Sequence, residues 1–207
     1  MMDLIVLAAD KNMQQALQAL QALLTRTEAL GTRKFRFEVF AHPQHDPAVR
    51  TQAAQFLRPL QEKYEHALVV FDHEGSGAES TTAEKLESEV EQNLDRSGWG
   101  ARNCVIVLSP ELEAWVWSSS PNVDQVLGWQ SRIPSLRQWL VEQGFTHSPS
   151  EKPGRPKEAM EAAMKFSGKR WSSAVFRQLA SRVSFAECRD RSFLKLNDRL
   201  KSWFPVP

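Results

Sequence analysis

The chain is poor in cysteine, in tyrosine and in long apolar runs. Two cysteines, Cys104 and Cys188, stand far apart in the 207 residues and in no metal-ligand spacing. This excludes a disulfide scaffold and fits a reducing, cytoplasmic setting. Tyrosine occurs once, which gives no help to a base-stacking surface. No apolar run approaches the ~18 residues that a membrane span needs, so no membrane contact is expected. The N-terminal stretch MMDLIVLAADKNM sets Asp3 and Asp10 around one short apolar run and lacks the basic n-region of a signal peptide. There is no internal repeat and no low-complexity tract. Gly75-Ser76-Gly77 lacks the lysine and spacing of a phosphate-binding P-loop, and it is not the nucleophile elbow of a hydrolase.

What is present is the composition of a globular protein, 42% apolar and 25% charged. The length suits one domain with a substantial core, alone or with a small appendage. The net charge of +1 conceals an asymmetry. Residues 151–207 hold 13 Lys/Arg against 6 Asp/Glu, whereas residues 1–150 hold 13 against 19. An acidic front and a basic back point to a polyanion partner, so nucleic acid is expected at the C-terminal part. A solvated helix face or an acidic protein partner reads from the same pattern.

Strands and helices alternate. Leu4–Ala9 is a continuous apolar run, a strand buried on both faces. From Lys11 to Leu30, Met13, Leu17, Leu20, Leu23 and Leu24 recur at helical steps, and Gly31 is a stop. Phe35, Phe37 and Val39 alternate with polar residues as a second strand. His42 and His45 follow in a proline-containing loop, Asp46 is a candidate N-cap and Pro47 a first helical residue. A helix over 48–63 then turns Phe56, Leu57 and Leu60 inward. The third strand is His66–Asp72. A glycine-serine loop leads to a Glu-rich helix over 83–97, and Cys104–Leu108 is the fourth strand. Ser109 and Pro110 start the next helix. Beyond Trp117 the chain reads as helical: short segments near 123–127 and 136–142, a Ser/Pro/Gly-rich loop, then helices near 156–166, 172–183 and 191–203. The pattern predicts an α/β fold with a mostly parallel four-stranded sheet and flanking helices, over residues 1–117. A helical connector, 118–150, packs on it, and a basic helical C-terminal extension, 151–207, follows. Trp115, Trp117, Trp129 and Trp139 read as core and interface.

Right-handed crossovers bring the strand ends to one rim, and acids follow every strand: Asp10, Asp46 with His45, Asp72 with Glu74, and Glu111 with Glu113. Hard oxygen ligands grouped in this way suit Mg²⁺ or Mn²⁺, and with such an ion phosphodiester chemistry. Each acid also has a plainer reading. Asp10 and Asp46 cap helices, and Glu111 favours a helix dipole. Glu111 and Glu113 lie about 200° apart on a helix, so one of them enters the cleft. Glu113, beside Ala114 and Trp115, is the better candidate. His73, between Asp72 and Glu74, faces away from both by strand alternation.

Four segments, H-D-P at 45–47, A-L-V-V-F-D-H-E-G-S-G at 67–77, P-E-L-E-A-W-V-W at 110–117 and V-L-G-W at 126–129, resemble the Toprim-like proteins of bacterial phage-defence islands, including the small Toprim-like component of the methylation-associated defence system. The likeness covers roughly the first 130 residues. It implies a Toprim-like fold, Mg²⁺-dependent action on nucleic-acid phosphodiesters and other defence-system proteins as partners. Asp72 and Glu74 match the family's D-x-D pair, and Glu113 matches the acid of its E-A-W segment. The chain departs from the family at the first strand, which usually ends in a glutamate followed by glycine, the general base. Here Ala9-Asp10 stands there. Either Asp10 takes over, or the domain is a catalytically degenerate module that docks partner proteins.

Overall fold

A computed structural model of the chain describes residues 1–9, 22–42, 45–109, 113–117, 120–170, 172–182 and 188–207. Four parallel strands form one sheet in the order β2-β1-β3-β4: β1 Met2–Ala9, β2 Phe37–His42, β3 Tyr64–Asp72 and β4 Asn103–Leu108. Leu4–Ala8, Ala67–Phe71 and all six residues of β4 are buried, as expected of strands covered on both sides. The register sets Ala8 opposite Val70 and Asp72 opposite Leu108. Because β1 lies between β2 and β3, the winding reverses there, and the crevice at the carboxyl ends of β1 and β3 is the switch point of the sheet.

Nine helices occur among the described residues: α1 Thr27–Leu30, α2 His45–Leu57, α3 Ala83–Arg96, α4 Glu113–Val116, α5 Pro121–Val126, α6 Leu136–Glu142, α7 Pro156–Ser167, α8 Ser173–Arg182 and α9 Arg191–Trp203. α2 and α3 pack on each other and on the sheet. The long first helix expected over 11–30 lies largely outside the described residues. Its visible end is interrupted before α1, which closes on Gly31 in the left-handed conformation. The helix expected over 48–63 stops at Leu57 and continues as a 3-10 turn, Arg58–Leu60. Pro59 explains the stop, since it offers no N–H and its ring clashes with the preceding turn of an α-helix. Pro47 falls in the first turn of α2, where a missing N–H costs nothing. His42 is not in a loop. It ends β2, is buried, and packs its ring 5.5 Å from Phe56.

One apolar core joins the sheet to the C-terminal helices. It includes Leu68 and Val107 from the sheet, Trp117 and Trp129 from the middle of the chain, and Leu196, Leu200 and Phe204 from the end. α9 starts beside the carboxyl end of β4 and finishes near the start of β3. There Trp203 stacks on His66 at 4.5 Å, and Phe204 stacks on Phe35 at 4.3 Å.

The outer edge of β4 is closed by side chains. Glu91 Oε1 accepts from Val105 N–H at 3.0 Å and Glu87 Oε1 from Val107 N–H at 2.9 Å. Arg191 of α9 donates to both oxygens of Glu87, at 2.8 and 2.9 Å, and Lys195 donates to Glu87 and Glu91 at 3.1 and 2.8 Å. An edge strand has unpaired backbone donors that invite another chain. Here two carboxylates of α3 take those donors, and two cations of α9 neutralise the carboxylates.

Candidate functional site

The site is built on the end of β3. Five apolar residues, Ala67–Phe71, are held inside the sheet, and Asp72 is the first residue after this run that is not buried. Its Oδ1 is buried, and the residue as a whole is half-buried. The ladder runs one bond further, from His73 N–H to Leu108 O at 2.8 Å. The His73 ring donates from Nε2 to Thr81 O at 2.7 Å, which ties it to the entrance of α3 rather than to the strand end.

Glu74 is placed differently from Asp72. The strand ends at Asp72, so the alternation that sets i and i+2 on one side stops before Glu74, which stands exposed in a turn. The turn is fixed internally. Gly75 and Gly77 have φ of 83° and 72°, and Glu79 Oε1 accepts from both of their N–H groups, at 3.0 and 3.2 Å. Its own backbone N–H first, and then those of Gly77 and Gly75, hold the Glu79 carboxyl below its usual range. The amides that would greet a phosphate in the glycine-serine loop are therefore already bonded to a carboxylate of the chain itself. Ser76 is wholly buried, and its carbonyl accepts from Arg50 Nε at 3.1 Å, which fastens the loop to α2.

Glu113 is the first residue of α4, half-buried, five residues beyond the end of β4. Its neighbours show what the E-A-W-V-W segment does locally. Trp115 Nε1 donates to Ser192 Oγ at 2.8 Å and to Asp190 Oδ1 at 3.1 Å, and Trp117 Nε1 donates to Pro156 O at 2.9 Å. Ala114 O accepts from Lys152 Nζ at 2.9 Å. The tryptophans thus anchor α4 to the starts of α9 and α7, and Glu113 is carried on a segment clamped at three points. Asp10 and Glu111 lie outside the described residues, as do the side chains of His45 and Asp46.

At His73, between the starts of α3 and α9, the structure opens into a cavity of about 380 Å³. Its walls include His73, Thr82, Ser109, Asp190, Arg191 and Ser192. Two helix starts meet there. Thr82 caps α3 by accepting from Lys85 N–H, and Asp190 caps α9 by accepting from Ser192 and Phe193 N–H. Sequence reasoning missed the α9 wall. The D-R-S start at 190–192 is a visible cap, but nothing local says that it closes a space against β4.

Hard oxygen donors such as Asp72 and Glu113 suit Mg²⁺, which is commonly held by one or two carboxylates with water and phosphate oxygens completing the shell. Among the described residues, no group of three or more His, Cys, Asp or Glu side chains is placed to hold a metal ion. Also among the described residues, no helix is long and apolar enough to cross a membrane. No protein-family model, curated protein or solved structure matches the chain.

Proposed function

We propose that the chain is a Toprim-like component of a bacterial anti-phage defence system and that its acidic rim is a Mg²⁺-dependent site acting on nucleic-acid phosphodiesters. The observation that supports this reading is Asp72: a half-buried carboxylate at the carboxyl end of an interior parallel strand, beside the switch point of the sheet. Asp72 and Glu113 are the residues that would hold the metal, with Glu111 as a further ligand and Asp10 assisting in place of the missing first-strand glutamate. Such an ion polarises a phosphoryl oxygen and lowers the pKa of bound water. The chain's own part is to fix these carboxylates on rigid elements. Ladder pairing with β4 sets Asp72, and the anchored indoles of Trp115 and Trp117 set Glu113.

Purified protein with Mg²⁺ or Mn²⁺ is expected to nick supercoiled plasmid or degrade linear DNA or RNA. Asp72→Asn, which keeps the shape and removes the charge, is expected to lower the rate by roughly 100-fold or more. Absence of cleavage on all three substrates, together with no Mn²⁺-induced rise in melting temperature, sinks the proposal.

A second reading is a degenerate Toprim-like module that docks basic partner proteins of the same defence system. It draws on Glu74, which lies past the end of the strand and is exposed to solvent with Glu79 and Glu84. Retention of partner binding in an Asp72→Asn protein that never cut nucleic acid is its signature.

A further inference from the structure

The sequence hides a second feature, away from the rim, where the end of α7 meets the loop between α5 and α6. Phe166 is 55% exposed and Ile133 98% exposed, unusual values for such residues. The Phe166 ring is backed by buried indoles. It stacks on Trp129 at 5.2 Å with 21° between the planes and lies 5.3 Å from Trp139, while Trp129 and Trp139 are 4.9 Å apart. Trp129 is 2% exposed and Trp139 6%. The exposed ring therefore sits on a fixed aromatic base.

Polar bonds lock the same place. Trp129 Nε1 donates to Pro134 O at 3.0 Å. Arg132 donates to Gly128 O and Ser167 O, both at 3.0 Å, and Lys169 donates to Val126 O at 2.9 Å. These bonds go to carbonyls, which position the cations without neutralising them. The Arg132 guanidinium lies 6.0 Å from the ring centres of both Trp129 and Phe166. Lys165 and Arg170 are exposed on either side of the ring in sequence. Residues 126–136 and 162–172 together carry four cations, Arg132, Lys165, Lys169 and Arg170, and no Asp or Glu. The nearest acids along the chain are Asp124, two residues before Val126, which interacts with Arg137, and Glu161, one turn before Lys165.

We propose that the face made by Phe166, Ile133, Arg132, Lys165, Lys169 and Arg170 binds single-stranded nucleic acid, with a base stacked on the Phe166 ring and the neighbouring phosphates against the cations. Charge complementarity and an exposed ring together select this occupant. A stacking ring with flanking cations holds any unpaired base, because every base has a π-face and every nucleotide a phosphate. A stacked duplex offers no free base face to such a ring. The apolar part, one ring and one isoleucine, is small for the buried core of a protein interface. The aromatic base and the carbonyl-bonded cations are ordered in advance, so little conformational freedom is lost on binding. The inference does not depend on cleavage at Asp72.

The test is fluorescence anisotropy of the full chain with fluorescein-labelled oligo-dT and oligo-U. EDTA is present throughout, so a failed metal site leaves this measurement intact. Binding is expected to weaken with salt, with a log–log slope of about −2 to −3 for the release of ions from three or four phosphates. Phe166→Ala is expected to lose roughly 5- to 100-fold in affinity at an unchanged salt slope. Lys165→Gln and Arg170→Gln are expected each to flatten the slope by about 0.7. Both are exposed, so they test the face even if Phe166→Ala melts early. A duplex of the same length is expected to bind more weakly. The proposal is overturned by no oligonucleotide binding, by equal binding of wild type and Phe166→Ala with both slopes unchanged, or by an acidic peptide that competes at the oligonucleotide's own concentration.

Discussion

His66 is the third residue of the strand that ends in Asp72, and it lies near the other end of the sheet. Its ring is sandwiched against Trp203 and Phe204, and only 13% of the side chain is exposed. Burial is the chief cause that holds its pKa below 6.5; Glu65 pulls upward, and Arg102 and Arg33 downward. An imidazole with a folded pKa below its unfolded value binds fewer protons folded than unfolded, so stability rises with pH across that interval. The stabilisation is complete above pH 6.5 and is lost as the pH falls from 6.5 through the folded value. The melting temperature is therefore expected to drop between about pH 7.5 and about pH 5.5, and His66→Phe is expected to keep the stack and flatten that drop. His42, also buried and also depressed, supplies what slope remains. A variant whose pH profile overlays the wild type refutes the assignment to His66. At this scale Asp72 was legible, because an apolar run that ends in an acid marks a strand leaving the core. The surroundings of His66 were not legible, because its ring partners come from the far end of the chain. His42 misled for a related reason: the proline after it suggested a loop, while Phe56, which buries it, belongs to another element.

Among elements, α3 repays attention. Its buried stripe of Leu86, Val90 and Leu94 recurs at four-residue spacing, and nothing in that spacing tells which of the glutamates between them is buried. Glu87 is in fact 3% exposed. It lies on the flank of the stripe, where the helix borders the open edge of β4, and hydrogen-bond supply from the strand and from α9 makes its burial tolerable. The geometry of the match is simple. Two residues four apart on a helix rise about 6.0 Å, close to the roughly 6.6 Å between alternate residues of a strand. Glu87 and Glu91 can therefore meet Val107 and Val105 in register. Glu87→Ala leaves a backbone donor and a guanidinium without their acceptor and is expected to cost about 2–4 kcal/mol, below the fully buried range because Arg191 is 40% exposed. Glu84 also pairs with Arg191, at 2.9 Å, but is 61% exposed. Glu84→Ala is expected to leave stability nearly unchanged, because water screens so exposed a pair. Urea denaturation of the pair reads both values, and comparable costs refute the edge role. The strands and the C-terminal helices were visible in hydrophobic period, as was the stop at Gly31. The length of α2 was misread because apolar spacing continued through Pro59, and backbone chemistry overrode it.

For the molecule as a whole, the acidic front and the basic back turn out to be partly each other's partner. Arg191 and Lys195 belong to the basic end and neutralise Glu84, Glu87 and Glu91 of the acidic one. Composition counts charges without saying which ones meet, so the polyanion reading of the tail overcounted what is available to a ligand. Of the cations of the Phe166 face, Arg132 and Lys169 bond to carbonyls, and Lys165 and Arg170 are exposed. Likewise, helical period over 191–203 tells that one face is buried but not against what. Phe193, Leu196, Leu200 and Phe204 close the same core as the sheet. A chain ending at Asp190 is thus expected to lose its cooperative thermal transition and to elute as aggregates in size-exclusion chromatography. A sharp melt and a monomeric peak from that truncation refute a shared core. A parallel sheet is in principle a polymer of strands with two growing ends. At β4 the next monomer's bonding sites are occupied by carboxylates held in place by an arginine and a lysine, so that end is chemically terminated. Any strand recruited from another molecule must add at β2, and assembly through this sheet has a direction.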